Sequence, residues 1–166
     1  MKIGIIGNGI VGKATRQLGC SEVETISYDI KPELCDPVES TLKDLLSCEI
    51  IFISVPTPIN NDGSCYLDIV TSVLDNLKKL NCQSFIVLRS TVPVGTSDRL
   101  GVYYMPEFLT EKNYIEDFID NQDWIFGLLQ KDPEQDRLFT EKISILFRLA
   151  YKYDKIDNNN IHFVNN

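Results

Sequence analysis

The stretch YMPEFLTEK, residues 104–112, places two carboxylates four positions apart, Glu107 and Glu111, directly behind Pro106 and at the end of an apolar run. Paired carboxylates of this kind serve proton transfer, because a carboxylate packed beside apolar walls has its pKa raised toward neutrality and exchanges protons at working pH. The same spacing has a plainer reading. On one helical face the two glutamates repel each other by ~0.3 kcal/mol, and a solvated surface turn tolerates that.

Stepping outward from this loop, three other segments of unusual composition also follow strand-like runs. The first is Gly7-Asn8-Gly9-Ile10-Val11-Gly12, which lies between an apolar strand at 2–6 and a helical stretch reaching to about Gly19. In that context Gly7 serves the tight turn, Gly9 lets the backbone approach a pyrophosphate, and Gly12 allows close helix–strand packing. The anion then rests on the helix N-terminus, where unpaired N–H groups and the macrodipole both favour negative charge. A second strand, 23–28, ends in Asp29, at the offset of the acidic residue that holds an adenosine ribose. A carboxylate there accepts from both ribose hydroxyls and repels a 2′-phosphate, which favours NAD over NADP. Lys31 either tolerates a phosphate or edges the adenine pocket.

Further strand-like runs fall at 50–55, 85–89, 102–105 and 124–128, with amphipathic helical stretches at 39–47, 67–80 and 133–152. This alternation predicts an α/β chain: a Rossmann-type doubly wound, mostly parallel six-stranded sheet with helices on both faces. No repeat, low-complexity tract or linker precedes the Asn-rich stretch 158–160, so one domain is expected over 1–166. In open sheets of this type ligands collect outside the carboxyl ends of the strands. VPTPINNDG after the third strand, RSTVPVGT after the fourth and MPEFLTE after the fifth all follow strand ends, so they are expected to open on the side of the glycine turn. Pro56 and Pro58 also suit a merely stiffened loop, and Thr91 a turn residue before Pro93.

Composition bounds the remaining possibilities. With 166 residues and 43% hydrophobic content the chain can bury a sizeable core, and a net charge of −8 argues against a nucleic-acid partner, which calls for a basic face. No apolar stretch approaches the roughly 20 residues that span a bilayer, and MKIGIIGNG runs into structure without a cleavable signal pattern. A soluble, cytoplasmic protein without a membrane partner is expected. Five cysteines, Cys20, Cys35, Cys48, Cys65 and Cys82, contain no CxxC pair and fit free thiols better than disulfides or a metal site.

GIIGNGIVG, FISVPTP, RSTVPVGT and MPEFLTE, in this order, resemble the N-terminal NAD-binding domain of the UDP-glucose/GDP-mannose dehydrogenase family, and the resemblance runs through IEDFIDNQDWIFG. Enzymes of that family oxidise a sugar-nucleotide CH₂OH to a carboxylate with two NAD molecules, by way of a cysteine thioester. The resemblance implies NAD as cofactor, with candidate contacts at Gly7, Asn8, Gly9, Ile10, Val11, Gly12, Asp29, Lys31, Val55, Pro56, Thr57, Ser90 and Thr91. It implies that Thr91 positions a water or oxyanion and that Glu107 and Glu111 serve the proton transfers and the hydrolytic step, with a UDP-sugar as a further partner.

The chain also departs from the pattern. The family's catalytic cysteine and its companion lysine and asparagine belong to the second half of the full enzyme, so the resemblance implies a chain incomplete for catalysis by itself, a non-catalytic nucleotide-binding module, or one half of a split dehydrogenase. Thr110 and Lys112 stand where the family usually has arginine and a small residue, and the stretch between Asp29 and Ile50 is short for the family. Cys65 is the one cysteine expected on the ligand-facing edge, without a neighbouring activator of its thiol, and His162 falls in the tail. Phe139, Ile143, Leu146, Phe147 and Leu149 of the last helical stretch are expected to form an exposed apolar stripe, suited to a homodimer or a partner chain.

Overall fold

The computed structural model describes residues 1–165, and in it the apolar runs form one sheet. The strands are β1 (Lys2–Ile6), β2 (Glu24–Tyr28), β3 (Ile50–Ile53), β4 (Phe85–Leu88), β5 (Tyr103–Tyr104), β6 (Trp124–Leu128) and β7 (Ile161–Asn165). Their order is β2-β1-β3-β4-β5-β6-β7. Every neighbouring pair is parallel except β5 and β6, which meet antiparallel at Tyr104 and Gly127. The helices are α1 (Ile10–Thr15), α2 (Asp68–Lys79), α3 (Thr96–Leu100), α4 (Tyr114–Ile119) and α5 (Pro133–Lys152). This is the doubly wound α/β architecture, and its order reverses between β1 and β3, where such sheets open their ligand crevice.

Period-two alternation along the central strands builds a core on each face. On β3, Ile50 and Phe52 join Ile3, Val87, Tyr103 and Phe126 beneath α1, α4 and α5, while Ile51 and Ile53 join Ile6, Ile26 and Leu88 beneath α2. All four β3 side chains are buried, as a parallel strand covered on both faces requires. Each such side chain contributes roughly 1.5–3 kcal/mol of burial. None of the described helices is long and apolar enough to cross a membrane.

Three expectations are corrected. First, the sheet has seven strands, not six. The Asn-rich stretch is the hinge into β7: Asn158 accepts the Trp124 indole N–H at 3.0 Å, and Asn160 donates its amide to Asp123 at 2.6 Å. His162 therefore lies on β7 and pairs with Asp123 at 2.8 Å. Second, 39–47 is not an amphipathic helix. It holds only a 3₁₀ turn at Asp44–Ser47, where Asp44 accepts from the N–H and hydroxyl of Thr41, and buries the one residue Leu45.

Third, the apolar stripe of α5 faces inward. Phe139, Ile143, Leu146 and Phe147 are each 0% exposed, and Leu149 packs against the same core. Phe139 stacks on Tyr103 at a centroid distance of 3.6 Å. Asp132 caps α5 by accepting from the N–H groups of Glu134 and Gln135, which fixes where the helix begins. These side chains are not available to a homodimer or partner chain.

Candidate functional site

At the end of β1 the backbone turns through Gly7, whose φ of +87° suits glycine. Its N–H donates to Tyr28 O at 2.9 Å, and a Cβ there would meet Ser54 O at 2.5 Å. The glycine thus brings β1, β2 and β3 to one point. A Cβ on Gly12 would overlap Gly7 O, which fixes how closely α1 lies on the turn. Above Gly9 there is open space, with nothing within 4 Å of where a Cβ would stand. The first turn of α1 carries neither a side-chain cap nor an acidic residue, which leaves its N–H groups without a side-chain acceptor. Ile10 is exposed and Val11 half-buried on this turn.

Asp29 stands at the tip of β2 and is tied to the turn. Its Oδ2 accepts the Asn8 N–H at 2.8 Å and its Oδ1 the Lys31 N–H at 2.9 Å. Asn8 is buried and donates its amide to Leu34 O at 2.7 Å, which holds the connection after β2 beneath the turn. Lys31 is held through its backbone, and the residue is exposed. Together these elements wall a cleft of ≈ 760 Å³. Gly7, Gly9, Asp29, Lys31, Val55 and Pro56 line it, as do Tyr66, Ile69 and Val73 on the α2 side, which sequence reasoning missed. The i, i+4 spacing of Ile69 and Val73 along α2, with Tyr66 just before it, was the available signal.

The loops after β3 and β4 are joined by two hydrogen bonds. Thr57 Oγ1 donates to Thr91 O at 2.7 Å, and Ser90 Oγ donates to Val55 O at 2.7 Å. Ser90 is buried while Thr91 is exposed. The parallel strands β1, β3, β4 and β5 all end on this side, which brings the glycine turn, VPTP, STVP and PEFLTE to one edge of the sheet.

Glu107 and Glu111 do not share a helical face. Both precede α4, in the segment that links it to β5. Glu107 is half-buried, and its Oε2 accepts the Leu109 N–H at 3.1 Å; Glu111 is exposed on the turn before α4. Between them, Thr110 gives both its N–H and its hydroxyl to Asp117, at 2.7 and 2.6 Å. Those bonds hold the Asp117 carboxyl below its usual value.

Arg89, immediately after β4, also escaped notice. It is 2% exposed, and its Nη1 donates to Thr15 Oγ1 at 2.6 Å. Its position two residues beyond Val87 put it on the inner face by strand period. Burial lowers its pKa to about 10, opposed by the charge of Glu107. Cys65 lies half-buried in a turned loop, bridged to Ile59, and burial pushes the Cys48 thiol up to about 11. Among the described residues no group of three or more His, Cys, Asp or Glu side chains is placed to hold a metal ion.

A glycine turn at the reversal of a parallel sheet, open above Gly9 and joined to a carboxylate at the next strand's tip, defines a dinucleotide-binding α/β fold. The model of the UDP-glucose/GDP-mannose dehydrogenase family's NAD binding domain matches residues 37–147. The chain belongs to that family, and its cofactor is NAD. It is 29% identical to a UDP-glucose 6-dehydrogenase of Pseudomonas aeruginosa over 71% of its own length and 36% of that protein's. It is 30% identical to an uncharacterised protein of Methanocaldococcus jannaschii over 75% of its own length and 14% of that protein's. Among solved structures, 99% of the chain superposes on a GDP-mannose dehydrogenase of P. aeruginosa with a TM-score of 0.75 at 21% identity, and on a UDP-glucose dehydrogenase of Pyrobaculum islandicum with 0.74 at 19%. At these identities the superpositions speak for the fold. The chain spans 46% of each of those two structures.

Proposed function

We propose that this crevice holds NAD with its diphosphate over Gly9 and its adenosine ribose on Asp29, and that Thr91, Glu107 and Glu111 form the chain's share of a site for NAD-linked oxidation of a nucleotide sugar. The observation that carries this reading is the Asp29 carboxylate, held in the cleft wall by the N–H groups of Asn8 and Lys31. Each of its oxygens keeps a lone pair for a ribose hydroxyl. The open space above Gly9 fits the cofactor's diphosphate, and the apolar walls from Leu34, Leu42, Tyr66 and Ile69 fit its adenine.

Bound NAD supplies the hydride acceptor for an alcohol carbon. The chain's own part is to orient and to move the proton. Glu107 has one oxygen fixed by Leu109, while Oε1 has no protein hydrogen bond among the described residues, so it is the acceptor for the alcohol proton. Thr91, tied through its carbonyl to Thr57, keeps its own hydroxyl for a water or a developing oxyanion. Calorimetric titration with NAD tests the cofactor side: saturable heat with Kd of about micromolar to low millimolar supports it, and no saturable heat at several millimolar contradicts it. NADH absorbance on adding UDP-glucose and NAD to the purified chain tests whether its own residues suffice.

A second reading, a site completed by another polypeptide that supplies a thiol, draws on one observation. Val94 is 105% exposed, Phe108 62% and Ile59 80%, so apolar side chains on the loops that carry Thr91, Glu107 and Thr57 stand in solvent. A flat absorbance trace that becomes active on adding a cysteine-bearing fragment of a family member supports it, and a trace that stays flat contradicts it.

A further inference from the structure

The buried guanidinium of Arg89 has no role in the reading given so far. Among the described residues no carboxylate lies within ion-pair distance of it, and its Nε has no hydrogen-bond partner. It sits instead over the Phe118 ring of α4, 5.4 Å from the centroid. An apolar side chain of the same volume generally serves stability as well as or better than a buried charge. Packing alone therefore does not account for an arginine at this place.

Its hydrogen bond leads to the cofactor side. Arg89 Nη1 donates to Thr15 Oγ1 at 2.6 Å, and Thr15 Oγ1 donates to Val11 O at 2.7 Å. A charged donor polarises the hydroxyl and strengthens its second bond. Val11 belongs to the first turn of α1, which frames the open space above Gly9. Because α1 spans only six residues, its geometry depends on tertiary support more than on its own ladder. Arg89 also feels the charge of Glu107.

We propose that Arg89 is a positioning residue for the dinucleotide cradle: acting through Thr15, it fixes the first turn of α1 against the end of β4 and against α4. This rests on the reading of the crevice as the NAD site. The buried charge holds the diphosphate-binding turn in register with the strand whose continuation carries Ser90 and Thr91, so the two halves of the site share one anchor.

The test is NAD titration of the wild-type chain and of Arg89→Met, Arg89→Lys, Thr15→Val and the Arg89→Met/Thr15→Val double variant, at a temperature where circular dichroism shows each folded. Arg89→Met weakens NAD binding about tenfold and Thr15→Val about threefold to fivefold. The double variant is no weaker than Arg89→Met, since both substitutions cut one chain of bonds, and Arg89→Lys recovers part of the loss. A purely structural arginine shifts the melting temperature without this pattern in affinity. Arg89→Met and Thr15→Val binding within twofold of wild type, or losses that multiply in the double variant, overturn the proposal. If Arg89→Met does not fold, Arg89→Lys and Thr15→Val decide alone. A wild-type chain that fails to bind NAD is a separate result and overturns the reading of the crevice itself.

Discussion

The carboxylate of Asp29 accepts the backbone N–H of Asn8 at 2.8 Å, which makes the tip of β2 and the glycine turn after β1 one rigid unit. The Asn8 side chain extends that unit to Leu34. In the proposed reading, ribose and diphosphate are held by the same few backbone atoms, and substitutions in the turn are expected to separate folding from binding.

Gly7→Ala and Gly9→Ala separate them most sharply. At Gly7 the positive φ and the approach of Ser54 O both oppose a side chain, so alanine costs about 2–4 kcal/mol and lowers Tm by roughly 5–10 °C. At Gly9 the space is open, and alanine changes stability by less than about 1 kcal/mol. With the diphosphate over Gly9 as proposed, the same methyl occupies its approach and is expected to weaken NAD binding at least about tenfold. Thermal melts paired with NAD titrations read both effects.

The walls of the cleft come from the ends of β1, β2 and β3, from the connection after β2 and from the α2 side, and Thr57, Thr91 and Glu107 are not among them. With NAD placed as proposed, most of the apolar contact falls on its adenosine half. ADP-ribose is expected to bind within about threefold of NAD. ADP-ribose weaker by more than tenfold, or nicotinamide mononucleotide binding comparably, contradicts this.

Ser90 Oγ donates to the part-buried Val55 carbonyl at 2.7 Å, one of the two bonds between the loops after β3 and β4. Ser90→Ala leaves that carbonyl short of a partner and costs about 1–2 kcal/mol in chemical denaturation. The matching change in the solvent-exposed bond, Thr57→Val, costs less, under about 1 kcal/mol, because water replaces the lost donor at Thr91 O.

Stability should fall at both ends of the pH range. Glu49, on the approach to β3, is held below its ordinary value of 4.5 by Lys142 of α5, and Asp44 and Asp117 are held below 3.8 by bonds from Thr41 and Thr110. Depressed carboxylates contribute stability above their unfolded values and lose it as pH falls through the folded ones, so unfolding begins to ease below about pH 4.5. Burial raises the Cys48 thiol from 9.0 to about 11, so its contribution is intact below pH 9 and lost as pH rises to about 11. Cys48→Ala flattens the alkaline limb in denaturant titrations across that window.

Several elements were legible because one local pattern decided them. The isoleucine run of β1, the glycine spacing and Asp29 fix the crevice by sequence position alone, and the prolines and threonines after β3 and β4 mark strand ends that a parallel sheet gathers on one side. The face of α5 was not legible: Phe139 and Ile143 make the same stripe whether they pack on their own sheet or on another protein. β7 was hidden because the Asn side chains that anchor it read as turn formers, and their partners at Asn121 and Asp123 lie more than thirty residues away. The spacing of Glu107 and Glu111 left a helix and a surface turn both open, since the capture of Thr110 by Asp117 depends on a residue seven positions on, and the burial of Arg89 under α4 depends on a neighbour, Phe118, far along the chain.

The most direct test of the account is calorimetric titration of NAD and NADP into the wild-type chain and Asp29→Ala. The wild type is predicted to bind NAD more tightly than NADP by about tenfold or more, and Asp29→Ala to lose about tenfold in NAD affinity while the gap to NADP narrows. Equal NAD affinity in the two proteins, with the same preference between cofactors, contradicts the placement of the ribose on Asp29.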